Sequence, residues 1–74
     1  MNAKRRDLLD KARELIGEAV SIIEEVKEQE EEAYENLPKR IQNSERGEKM
    51  GENVYNLSDI LSDLENSCEL MMEM

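Results

Sequence analysis

Histidine, tryptophan and phenylalanine are absent from this chain of 74 residues, which holds one cysteine, one proline, three glycines and two tyrosines. Each scarcity excludes something. Without histidine, the commonest metal ligand and the commonest general base are missing. A single cysteine, Cys68, cannot close an intrachain disulfide. With Tyr34 and Tyr55 as the only aromatics, aliphatic side chains and methionine must build any core. No apolar run approaches the roughly 20 residues that span a bilayer, so no membrane partner is expected. The first ten residues, MNAKRRDLLD, lack the apolar centre of a secretory signal, and a reducing cytoplasm is the expected location. A single domain this small buries little core and often needs a partner subunit.

Charge is abundant and unevenly placed. The formal net charge is −9. Residues 1–13 carry five bases against Asp7 and Asp10, and residues 14–35 carry nine glutamates against Lys27 alone. Residues 36–51 are again slightly basic, and residues 52–74 hold six acids and no base. Such a chain repels nucleic acid and suits a basic protein partner.

The only proline, Pro38, and two of the glycines, Gly47 and Gly51, lie within residues 36–51. On either side the apolar residues recur with helical spacing. Leu8, Ala12, Leu15, Ala19, Ile22, Val26 and Ala33 follow the alternating steps of a heptad, with polar Gln29 filling one position. Leu9, Ile16 and Ile23 form a second line, and Val20 widens the face. That face is broader than a two-stranded seam and suits a bundle helix. After the break, Met50, Val54, Leu57, Leu61, Leu64, Cys68 and Met71 repeat the pattern. The expected fold is all-α, one domain over residues 1–74. It is an antiparallel two-helix hairpin with helix 1 at about 3–36, a hinge at 37–43 and helix 2 at about 44–72.

Pro38 ends the first helix and opens a short turn, PKRIQ, because a proline in a first turn gives up no helical hydrogen bond. Asn43 or Ser44 is the expected N-cap of the second helix. Tyr34, Leu37 and Pro38 are expected to pack at the closed end. Gly47 and Gly51 either admit helix 1 closely or soften the first turn. Antiparallel pairing also sets the basic stretch Lys4 to Arg13 beside the acidic stretch Asp59 to Glu73. A two-helix hairpin cannot cover so wide a face. Leu9, Leu15, Ile16, Val20 and Ile23, with Leu57, Leu61 and Leu64, are therefore expected to form both core and dimer face, closing a four-helix bundle from two copies.

Glu24, Glu28, Glu31 and Glu35 step 4, 3, 4 along the face opposite the expected core, with Glu18, Glu25 and Glu32 on a flank. One reading is a solvated face. The sharper one is a column of carboxylates that imitates a nucleic-acid backbone or fills a basic groove. Like charges at this spacing cost helix stability, which argues for a use. Asp59 and Asp63 lack the glycine and ligand spacing of a calcium loop, and glutamates without Glu-x-x-His do not make a di-iron bundle. Nothing cationic near Cys68 activates it as a thiolate. No catalytic, cofactor or metal site is expected.

Residues 30–50 carry two further patterns, Ala33-Tyr34-Glu35-Asn36-Leu37-Pro38 and Gln42-Asn43-Ser44-Glu45-Arg46-Gly47-Glu48. This block resembles one that joins two heptad-rich helices in small acidic proteins of bacteriophages and mobile elements, a family without an assigned activity. The match covers the hinge closely and the flanks only in character. The resemblance implies a mobile-element origin and the cytoplasm of a bacterial host. There, short acidic proteins often inhibit host defence, anti-CRISPR proteins among them. The expected function is non-enzymatic: a homodimer that binds a basic, nucleic-acid-binding protein such as a nuclease through its acidic face. The alternatives are an adaptor dimer whose acidity only keeps it soluble, and an antitoxin-like partner of a basic toxin.

Overall fold

Asn2 opens the first helix. Its backbone is extended (φ −76°, ψ 167°) and its side chain accepts a hydrogen bond from the Arg5 main-chain N–H at 2.8 Å. That bond satisfies one of the first-turn donors a helix leaves unpaired. In the computed structural model, which describes all 74 residues, α1 then runs unbroken over Ala3–Glu35. A short α2 follows at Lys39–Gln42, and α3 spans Glu45–Glu73. The chain is 89% helix and has no strand. No helix is long and apolar enough to cross a membrane. The shape is extended, 57 × 15 × 12 Å, and its length is that of α1 itself, about 50 Å at 1.5 Å per residue.

The two long helices lie side by side and run past one another in opposite directions. Met1, Arg5, Leu8 and Leu9 share a groove with Met74 at one end. Lys27 and Glu31 neighbour Leu61 in the middle, and Tyr34 and Glu35 meet Gly51 and Val54 at the other end. Asn53 Nδ2 donates to Glu30 Oε2 across the pair at 3.0 Å.

The reversal between them is built from main-chain bonds. Pro38 (φ −56°, ψ 146°) precedes α2, and its carbonyl accepts from Ile41 N at 2.8 Å and Gln42 N at 3.0 Å. Tyr34 and Leu37 are half-buried, and Pro38 is exposed. It shapes the turn through its fixed φ and its carbonyl, not through packing. Ser44 is the N-cap of α3 (φ −88°, ψ 172°), yet its hydroxyl does not cap. The Oγ donates instead to the Ile41 carbonyl, and Glu45 and Glu48 face the positive end of the helix dipole.

Gly47 is the one buried residue of the chain. A Cβ there would overlap the main chain of Gln42. The close approach that this glycine admits is thus to α2, not to α1. At Gly51 a Cβ would meet nothing within 4 Å, so no contact requires a glycine there.

The seam between α1 and α3 takes Leu9, Ile16, Val20 and Ile23 of the expected core and dimer face and leaves Leu15 outside. On α1 the half-buried positions are Arg6, Leu9, Arg13, Ile16, Val20, Ile23, Lys27, Glu30, Glu31 and Tyr34, with Ala12 and Ala19 at the margin. This is the second apolar line, extended by Val20. On α3 the seam is the expected line, Met50, Val54, Leu57, Leu61, Leu64, Cys68 and Met71, all half-buried. One facing helix covers one line, and the second line offers a bulky residue at nearly every turn near the termini. The first alternates large residues with Ala12 and Ala19. Leu15, expected on the core and dimer face, is accordingly 53% exposed.

The expected charge pairing between Lys4–Arg13 and Asp59–Glu73 does not form. All four ion pairs are local: Lys11–Glu14, Asp10–Arg13, Lys27–Glu31 and Lys49–Glu52, at 3.5–4.0 Å within one helix. Lys4 and Lys11 are exposed, and Arg13, which does reach the seam, pairs with Asp10 on its own helix.

Candidate protein-binding faces

Seven-residue steps and the rotation of the seam leave α1 with two uncovered flanks. Consecutive helical residues stand about 100° apart. Leu8, Leu15 and Ile22 each come one residue before a seam residue, namely Leu9, Ile16 and Ile23. On α3, Ile60 and Leu70 likewise come one residue before Leu61 and Met71. Both helices are right-handed and run in opposite directions. A residue that precedes a seam position therefore turns to the same side of the pair on either helix. Leu8 at 63%, Leu15 at 53%, Ile22 at 63%, Ile60 at 43% and Leu70 at 62% exposure consequently share one broad face. Leu8 and Met74 line one groove at its end. No hydrophobic side chain anywhere in the chain is fully buried.

The carboxylate column lies on the other flank. Glu24, Glu28 and Glu31 line a shallow groove with Lys27 and Leu61, so the column borders α3 rather than standing opposite it. Its place beside the seam follows from the same rotation. Glu24, Glu25, Glu28, Glu32 and Glu35 are exposed, while Glu31 is half-buried and held by Lys27 at 3.6 Å. Glu25 Oε1 accepts from Gln29 Nε2 at 3.5 Å. Glu24, Glu28, Glu32 and Glu35 have no basic side chain in ion-pair range, leaving their negative charge uncompensated.

These acids offer a binding partner charge and little shape. No three acidic or thiol side chains converge on a point that holds a metal ion. Cys68 is free and half-buried in the seam, consistent with a small core residue. Two contacts had no signal in the spacing: Asn53 to Glu30 across the pair, and Gln42 Nε2 donating to the Tyr34 carbonyl at 3.0 Å. The Asn2 cap, not among the expected ones, had a signal in the sequence, because asparagine stands immediately before the helical pattern.

No family model matches the chain, and neither a curated protein nor a solved structure matches it.

Proposed function

We propose that the chain is a non-enzymatic protein-binding module. Its two long helices act as an antiparallel hairpin that pairs with a second copy into a four-helix bundle, leaving the carboxylate column for a basic protein. The observation that carries this reading is the incomplete burial of every apolar residue. Fully burying a leucine or isoleucine side chain contributes about 1.5–3 kcal/mol. Leaving Leu8, Leu15, Ile22, Ile60 and Leu70 in water forfeits much of what a small domain has to spare. A surface of this kind is covered in use by protein.

The partner class follows from charge. A net charge of −9, with uncompensated glutamates along α1, favours a basic groove of the kind that binds nucleic acid. The block at residues 30–50 resembles hinges of phage and mobile-element proteins. Inhibition of a bacterial nucleic-acid-binding defence protein, in the manner of an anti-CRISPR protein, is the specific activity we assign. An adaptor dimer without mimicry is the second reading, favoured by the apolar face alone.

The test replaces Glu24, Glu28 and Glu31 with lysine. The variant keeps its helicity and its oligomeric state, because these side chains lie outside the apolar face. Affinity capture from a bacterial lysate with the unaltered chain retains a basic nuclease or DNA-binding protein, released by high salt, and the triple variant loses it. Equal capture by both proteins reduces the column to a solvated face and leaves the adaptor reading.

A further inference from the structure

We infer that the second copy lies with its α1 antiparallel across α1 of the first, about a two-fold axis that passes beside Glu18. This rests on the pairing proposed above and adds its polarity and register. Along the margin of the apolar stripe away from α3 stand Lys4, Lys11, Glu18, Glu25 and Glu32, seven residues apart and all exposed. Their sign changes once, from base to acid. A parallel two-fold partner turns the two copies of this column to opposite sides of the pair, so its bases and acids never meet. An antiparallel partner centred at Glu18 sets Lys11 against Glu25 and Lys4 against Glu32 of the second copy, each twice by symmetry. Only Glu18 meets its own kind. The intrahelical Lys11–Glu14 pair, 3.7 Å apart with both side chains exposed, is weak competition.

The layers of the stripe centre one residue earlier, at Gly17, as apolar layers do beside a flanking column in an antiparallel pair, and they cover it from end to end. Leu8 falls against Val26 of the second copy, Ala12 against Ile22, and Leu15 against Ala19. In two of these three layers a large residue meets an alanine, which allows close packing. The angle also fits. The stripe stands about 100° from the seam that holds α3, near the right angle each helix of a square four-helix bundle makes with its two neighbours. The rival arrangement stacks α1 on the partner's α3. With an offset one residue from that which joins Glu30 to Asn53, it would set Glu25 and Glu32 against Asp59 and Glu52 of the second copy. Only Lys11 would gain an opposite charge, from Glu73.

The test uses the full chain with Cys68→Ala, which removes the sole thiol. Glu18→Cys in this background should oxidise to a covalent dimer. Lys11→Cys and Glu25→Cys should each stay uncrosslinked alone and crosslink when mixed. Glu18→Gln, which removes the one like-charge contact, should tighten the dimer about twofold. Self-crosslinking of Lys11→Cys puts the axis beside Lys11 instead and overturns the inference. So does a Glu18→Cys protein that stays uncrosslinked while the unaltered chain is dimeric by light scattering, or a Glu18→Gln dimer that weakens. If the unaltered chain is itself a monomer, the proposed pairing falls with it.

Discussion

The side chain of Gln42 donates from Nε2 to the main-chain carbonyl of Tyr34 at 3.0 Å, joining α2 to the last turn of α1. Helix C-termini leave carbonyls without intrahelical partners, and Leu37 N already donates to this one at 3.1 Å. Gln42 supplies its second bond. The same residue's backbone packs against Gly47, the one buried position. One glutamine thus fastens the ends of both long helices.

Gln42→Ala should therefore cost about 1 kcal/mol, the usual worth of a partly buried hydrogen bond. Urea denaturation followed by circular dichroism measures it. An unchanged midpoint would show that water replaces the amide without loss.

The glycines should respond with opposite signs. Gly47→Ala forces a Cβ into the Gln42 main chain and should destabilise by about 1–3 kcal/mol. Gly17→Ala and Gly51→Ala, each helical with open space around the new Cβ, should stabilise by about 0.5–1 kcal/mol. Thermal melts of the three variants decide the matter. A stabilising Gly47→Ala would place α2 away from α3.

The helices were legible because propensity, capping and heptad spacing agree along both arms. Three of the four expected ends differ by one residue from those observed, 36 against Glu35, 44 against Glu45 and 72 against Glu73. The rotation of α1 was not legible. Its two apolar lines are adjacent, and both are regular. Choosing between them depends on which one α3 meets, and that is a tertiary matter. The placement of the acids followed from the same choice. With the seam turned toward Val20, Glu31 moved from the far side to the edge of α3. The role of Gly47 depends on where Gln42 returns in the turn, which no periodicity encodes.

Adjacent residues on α1 should separate folding from pairing. Ile16→Glu puts a charge into the seam and should cost several kcal/mol, enough to unfold a marginal domain. Leu15→Glu, on the 53% exposed stripe, should keep the helical signal while halving the mass in solution. Circular dichroism and light scattering on both variants check this. Loss of helix in Leu15→Glu alone would mean that the stripe, not the second line, faces α3.

The most direct measurement is sedimentation equilibrium of the unaltered chain at micromolar concentration, with circular dichroism on the same sample. The account predicts a strongly helical species of twice the 8.6 kDa of one chain. A stably folded, helical monomer of 8.6 kDa would contradict it, because the exposed face of Leu8, Leu15, Ile22, Ile60 and Leu70 would then remain in water without a second copy to cover it.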